Sequence, residues 1–239
     1  MIGVIPARWS STRFPGKPLA SILGKPMLQH VYERARGSRL LDDILIATDD
    51  DRIRQAAEGF GSKVLMTSRQ HVSGTDRVSE AITNTEASHI VNIQGDEPLL
   101  RSDSIDELVG EMISEGDVGM ATLACRIEDE SDLDDPSCVK VVLDRRGNAL
   151  YFSRARIPYL TGSGPFDFYK HIGIYGYRRE VLETIVSSPR SALEAAERLE
   201  QLRALEQGIR IRVVKVSGWG PSVDTPGDVE RVEAILRQG

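Results

Sequence analysis

Short apolar runs of β-forming residues alternate with helical stripes through the first half of this chain, and that alternation constrains the fold most. Ile2, Val4 and Ile5 begin a buried strand. Gly24-Lys25-Pro26 then leads into a helix, with Pro26 suited to its first position and Met27, Leu28, Val31 and Ala35 on one face. DDILIATDD reads as a second strand and a helix cap, followed by a stripe of Ile53, Ala56, Ala57 and Phe60 closed by Gly59 and Gly61. KVLMT is a third strand, Val78, Ala81 and Ile82 mark the next helix, and SHIVNIQGDEP is a fourth strand ending in an acidic turn. Ser102 caps a helix carrying Ile105, Leu108, Val109, Met112 and Ile113. Strands alternating with helices over this length predict an α/β fold with a mostly parallel sheet.

The second half changes character. CVKVVLD, the turn RRGN and ALYFSR read as an antiparallel hairpin, and HIGIYGYR and IRIRVVKVS as further strands. Ser191 and Glu194 form a capping box before a long charged helix running to Gly208. Leu193, Ala196, Leu199, Leu202 and Leu205 give that helix an apolar stripe. Thr225, Pro226 and Asp228 open a C-terminal helix. The reading is one domain over 1–239, its core at about 1–125 and 209–239, with a β-rich insertion at about 126–208.

Charge and cysteine usage narrow the classes. Thirty basic against 36 acidic residues leave a net charge of −6, without the basic excess of a phosphate-tracking nucleic-acid binder. Cys125 and Cys138 are too few for a disulfide framework and have no zinc spacing. No apolar run approaches the ~20 residues of a membrane span. The N-terminus places apolar residues before basic ones, the reverse of a signal peptide. A cytoplasmic protein is expected.

Three segments carry candidate chemistry. PARWSSTRFPGKPL follows the first strand and holds Arg8, Arg13 and Lys17, the hydroxyls of Ser10, Ser11 and Thr12, and Gly16. Ligands of open α/β sheets bind at such strand ends, and cations with a permissive glycine suit a polyphosphate. A solvated basic loop is the alternative, and the loop is not a Walker A motif, with Ser11 and Pro18 where a glycine and a hydroxyl residue belong. Asp96, beside Glu97 in QGDEP, could hold Mg²⁺ or simply make a turn. Asp224 in VDTPGDVERV is open to the same two readings, while Asp228 is a capping partner for Thr225. His171 reads from its position as a half-exposed strand residue, and His30, His71 and His89 have no spacing partner.

Together, IPARWSSTRFPGKPL, ATDD, SGTDR, NIQGDEP, VKVVLD, YFSRARIP, HIGIYGYR, LEQLR and VDTPGDVERV stand in an order that resembles the 3-deoxy-manno-octulosonate (Kdo) cytidylyltransferase, or CMP-Kdo synthetase, family. The likeness spans nearly the whole chain. The related sialic-acid enzymes open with a similar IPAR but then favour a Gly-Ser-Lys run, whereas SSTRFPGKPL looks like the Kdo branch.

The resemblance implies a Rossmann-like nucleotidyltransferase fold, Mg²⁺ dependence, a homodimer and the conversion of CTP and Kdo into CMP-Kdo and pyrophosphate for lipopolysaccharide synthesis. By motif it implies that Arg8 and Lys17 contact the triphosphate and that Asp96 and Asp224 bind metal; Arg8, Lys17 and Asp96 form the catalytic set. Pro6, Ala7, Ser11, Ser73, Gly74 and Thr75 complete the nucleotide site. Arg77, Gln94, Arg154, His171, Tyr175, Glu200 and Gln201 are the sugar-site candidates, with Arg154 the cationic partner of the sugar carboxylate. The expected dimer uses the insertion and its leucine stripe, unless that stripe packs on the protein's own sheet. The loop between Tyr159 and Tyr169, with Gly162, Gly164 and Pro165, matches no motif. Three rivals stay open: a cytidylyltransferase for 8-amino-Kdo or another sugar acid, a non-catalytic nucleotide-binding module, and a nucleotidyltransferase for an aldose 1-phosphate.

Overall fold

Ile2, Val4, Ile5 and Ala7 are all buried, so the first strand has no solvent face, as parallel strands covered on both sides require. The computed structural model describes residues 1–10, 14–114, 116–162 and 165–238. They pack as two compact units, one formed by Met1–Val109 with Trp219–Gly239 and the other by Gly110–Gly218.

In the first unit β1 (Ile2–Ala7) is followed by a small antiparallel pair, β2 (Ser21–Ile22) and β3 (Lys25–Pro26), and by α1 (Met27–Ala35). Pro26 stands just before α1 rather than inside it. Then come β4 (Asp43–Thr48), α2 (Asp51–Gly59), β5 (Lys63–Met66), α3 (Gly74–Ala81), β6 (His89–Asn92) and α4 (Ser102–Ser114). Asp50 caps α2 by accepting from Arg52 N–H at 2.9 Å. Ser73 and Asp76 close a capping box on α3. Ser102, expected as a cap, lies inside the first turn of α4 and donates to Arg34 O at 2.6 Å, tying α4 to the end of α1.

The parallel strands lie in the order β6-β1-β4-β5. The chain steps outward from β1 to β5 and then returns to the other side of β1 for β6. That reversal opens a crevice at the carboxyl ends of β1 and β6, where open α/β sheets bind ligands. The C-terminal helix, Pro226–Leu236, has the expected Thr225/Asp228 capping box. Its Val232 joins Ile22, Met27 and Val223 in a buried cluster, which places the segment before it at the crevice.

The second unit is mixed. It contains β7 (Met120–Arg126), α5 (Ser131–Asp134), β8 (Lys140–Leu143), β9 (Ala149–Ser153), β10 (Tyr169–Arg178), α6 (Arg179–Ser187), α7 (Ala192–Glu197), α8 (Gln201–Glu206) and β11 (Ile211–Val216). β11 runs parallel to β7, β7 antiparallel to β10, and the hairpin β8–β9 is added to β10 through β8. This unit is wider than the insertion expected at 126–208, because β7 and β11 pair within it.

The long helix expected from Ser191 is two short ones. Arg198 adopts the left-handed conformation at φ 55°, ending α7 and turning the chain into α8. The turn lets Arg203 donate to both carboxylate oxygens of Glu194 at 2.7 Å, with both side chains at most 10% exposed. In one continuous helix residues nine apart would be separated by roughly 13 Å along the axis, too far to pair. The leucine stripe is correspondingly divided: Leu199 and Leu202 are buried in the fold, while Leu193 is exposed.

Candidate active site

A cleft of about 260 Å³ lies at the switch point. Pro6, Ala7 and Arg8 reach it from the end of β1, Ser73, Gly74 and Arg77 from the start of α3, Gln94, Gly95 and Asp96 from the turn after β6, and Asp224 from the segment before the C-terminal helix. Lys17 enters at the end of the loop after β1. That loop is closed at its neck by Gly16 N–H donating to Trp9 O at 3.0 Å. Gly16 has φ 74°, and a Cβ there would meet the Trp9 ring at 3.0 Å, so glycine is required twice over. The Arg52 guanidinium covers the Trp9 ring at 3.5 Å. Ser11, Thr12 and Arg13 lie outside the described residues.

The cleft's charge centres on Lys17. Its ammonium donates to Asp96 Oδ2 at 2.7 Å, to Val223 O at 3.0 Å and to Asp224 Oδ1 at 3.3 Å. Two carboxylates from distant parts of the chain therefore converge on one point already chosen by a cation. Their hard oxygen donors fit Mg²⁺, which binds through one or two carboxylates and takes its other ligands from water and substrate phosphates. The described residues hold no cluster of three or more His, Cys, Asp or Glu that could hold a metal ion.

The cleft floor is a polar ladder. Gln94 Nε2 donates to Asn92 Oδ1 at 3.2 Å, and Asn92 Nδ2 to Thr75 Oγ1 at 3.5 Å. Thr75 is thus buried beneath the cleft rather than in its lining. Arg77, a sugar-site candidate, is a buried wall of this cleft; its guanidinium donates to Asp49 at 3.0 Å and to the Thr67 hydroxyl. Beside Asp96, burial and then the Asp96 charge push the Glu97 carboxyl up to about 8, so it is mostly protonated at neutral pH. Trp219 Nε1 donates to it at 2.8 Å.

The second unit gathers the other sugar-site candidates. The His171 ring packs edge-on to Phe152, with centroids 5.0 Å apart, and lies 5.4 Å from Tyr175. Burial pushes His171 down to about 3, so it is neutral. Its Nε2 is 3.0 Å from Thr122 Oγ1, which donates its single proton to Ile174 O at an oxygen–oxygen distance of 2.8 Å. With that proton given to the carbonyl, Nε2–H donates to the hydroxyl and Nδ1 is left as an acceptor. Burial, and then the Glu200 charge, push the Tyr175 phenol up. Gln201 is buried, and its Nε2 has no partner among the described residues, an orphan that calls for a ligand or water. Arg154 donates from Nε to Glu197 O and from Nη1 to Pro136 O, both at 2.8 Å.

Sequence reasoning missed several residues of the site. His71 lines the cleft and pairs with Glu80, and its signal was its place two residues before Ser73. Asp49, the partner of Arg77, was read only as part of a strand end. The Glu97–Trp219 bond joins residues 122 apart in sequence and had no local signal.

A cytidylyltransferase family model matches residues 2–211. A 3-deoxy-manno-octulosonate cytidylyltransferase of Geobacter sulfurreducens is 50% identical, covering 98% of each chain. An 8-amino-3,8-dideoxy-manno-octulosonate cytidylyltransferase of Shewanella piezotolerans is 51% identical, covering 98% of this chain and 97% of its own. Among solved structures, a CMP:2-keto-3-deoxy-manno-octonic acid synthetase complexed with CTP matches with a TM-score of 0.95 and 46% identity, over 99% of this chain and 98% of the other. A cytidylyltransferase of Leptospira borgpetersenii, at 18% identity and a TM-score of 0.67, shares the fold.

Proposed function

This chain belongs to the 3-deoxy-manno-octulosonate cytidylyltransferase family, and from that premise we propose that it transfers CMP from CTP to the anomeric hydroxyl of Kdo, releasing pyrophosphate. The observation that carries the reading is the meeting of Lys17, Asp96 and Asp224 at the sheet's switch point. In this reaction the sugar oxygen bonds to the α-phosphorus as the bond to the pyrophosphate oxygen breaks, and negative charge grows on the phosphate oxygens. Arg8, exposed at the cleft rim, and Lys17 stabilise that charge. Asp96 and Asp224 would hold Mg²⁺, which would supply charge neutralisation at the triphosphate and lower the pKa of the attacking hydroxyl. Pro6, Ala7, Ser73 and Gly74 line the cleft and form the nucleoside end of this reading. Arg154 keeps its Nη2 donors for the sugar carboxylate, since among the described residues they serve no other acceptor. His171 Nδ1 and Gln201 Nε2 offer an acceptor and a donor to sugar hydroxyls. We assign no side chain as general base.

The relatives support a second reading. An 8-amino-sugar enzyme and a Kdo enzyme are equally similar to this chain, at 51% and 50%. Pyrophosphate release measured with CTP, UTP, ATP and GTP against Kdo and 8-amino-Kdo tests both. We expect turnover with CTP and Kdo and little with purines, because a pocket fitted to the pyrimidine edge leaves polar groups unpaired around a larger base. Equal turnover with ATP overturns the nucleotide assignment, and exclusive turnover of 8-amino-Kdo transfers the sugar assignment to the second reading.

We further propose a cytoplasmic homodimer serving lipopolysaccharide synthesis. No helix among the described residues is long and apolar enough to cross a membrane. The second unit exposes Leu150, Tyr159, Phe166 and Leu193, apolar surface that a partner copy would cover. Light scattering at micromolar concentration is expected to give twice 26.4 kDa, and a monomer refutes the dimer.

A further inference from the structure

Asp224 stands on a segment, residues 219–224, that is neither helix nor strand. A carboxylate on such a segment has a fixed position only if the segment itself is tied down. Two bonds do this. Trp219 Nε1 donates to Glu97 Oε2 at 2.8 Å, and Val223 N–H donates to Asp96 O at 3.0 Å. Between them the chain presses on the same turn, since a Cβ on Gly220 would lie 2.4 Å from Leu99 Cδ1 and 2.9 Å from Leu99 Cβ. Segment 219–224 is therefore laid along residues 96–99, with the indole bond at one end and the carboxylate pair at the other. Beyond Asp224, its own N–H donates to Asp228 Oδ2 at 3.1 Å, which fixes the start of the last helix. The Val223 bond is made by backbone and the Gly220 contact by shape. Lys17 also donates to Val223 O and to Asp224 from within the cleft, whereas the Trp219–Glu97 bond is a side-chain tie whose two residues both lie away from the cleft lining.

We propose that Trp219 and Glu97 are positioning residues, whose bond holds segment 219–224 in the register that brings Asp224 to Asp96 and Lys17. The inference rests on the reading of Asp96 and Asp224 as the metal carboxylates. Neither residue touches substrate; they act through Asp224, as outer partners of metal ligands commonly do.

Trp219→Phe keeps the aromatic bulk and removes the donor. The test reads Mn²⁺ binding to the protein with CTP and no sugar, by electron paramagnetic resonance of the free ion, beside melting curves. We expect Mn²⁺ affinity to fall roughly tenfold, the lower end of losses measured for outer-shell partners. Glu97→Gln, whose amide oxygen still accepts from the indole, should retain wild-type affinity. If Trp219→Phe does not fold, Glu97→Leu removes the same bond from the other side. Asp224→Asn is the control. Loss of Mn²⁺ binding in Asp224→Asn with wild-type affinity in Trp219→Phe overturns the positioning role alone. A lower melting temperature at unchanged affinity does the same, reducing the bond to a strut. Undiminished Mn²⁺ binding in Asp224→Asn overturns the metal reading and the inference with it.

Discussion

Asp96→Asn and Asp224→Asn are each expected to remove most of the Mg²⁺-dependent turnover and to leave the fold intact. Asparagine keeps the size and one acceptor oxygen but not the charge, so it separates metal binding from turn formation. Both carboxylates are partly open to solvent, 31% and 40% exposed, and neither packs in the core. Asp96 also holds the Asp224 segment through its backbone carbonyl, which the substitution leaves untouched. Melting temperatures should therefore stay near that of the wild type. The loss in turnover should be roughly a hundredfold or more, the scale of deleting one preorganised electrostatic contact to transition-state charge. Because the two residues converge on one point, the double variant should be scarcely worse than either single one. Steady-state rates across a Mg²⁺ titration, with parallel melting curves, check this. Wild-type activity in either single variant excludes that residue as an essential ligand, and multiplicative losses exclude a shared site.

Such convergence was partly legible in the sequence. β1 and β4 are short runs of Ile, Val, Leu and Ala because both faces are covered, and a run of that kind announces itself without context. The loop with Arg8 and the QGDEP turn each follow a strand directly, and the β6-β1-β4-β5 order sets those two strand ends side by side at one crevice, so local reading could place Arg8 and Asp96 beside strand ends. What failed depends on contacts between distant residues. Nothing near Arg198 is glycine or proline, yet the chain reverses there, because the Arg203–Glu194 pair and the burial of Leu199 and Leu202 reward the turn. Thr75 and Arg77 share the SGTDR motif with cleft residues. The register of α3, set by the Ser73–Asp76 capping box, buries Thr75 under the floor, while Arg77 stays in the cleft wall with its guanidinium bonded to Asp49. A motif thus marks the neighbourhood of a site, while helix register decides which of its side chains can touch a ligand.

Lys17→Ala is expected to lower kcat/KM by roughly ten- to a hundredfold, the equivalent of about 1.5–3 kcal/mol for one charge-assisted contact to phosphate realised in the transition state. Its second effect follows from the ion pairs that the ammonium makes. The ammonium, 15% exposed, is the counter-charge of Asp96 and Asp224 at 2.7 and 3.3 Å. On the proposed reading, an ammonium that turns to a triphosphate would leave the carboxylate pair to another cation. Without Lys17 the two carboxylates would lack their shared counter-charge, and a divalent ion would have no competitor there. Lys17→Ala should therefore melt lower than the wild type in metal-free buffer, and added Mg²⁺ without CTP should raise its melting temperature more than that of the wild type. Removing the side chain opens no core cavity, since it lies in a polar cleft, so the metal-free deficit should be recoverable by Mg²⁺. Melting curves across a Mg²⁺ titration, run beside steady-state kinetics, separate the two roles. Wild-type kcat/KM takes Lys17 out of the reaction, whereas a melting temperature as insensitive to Mg²⁺ as the wild type's removes the competition between ammonium and metal for one carboxylate pair.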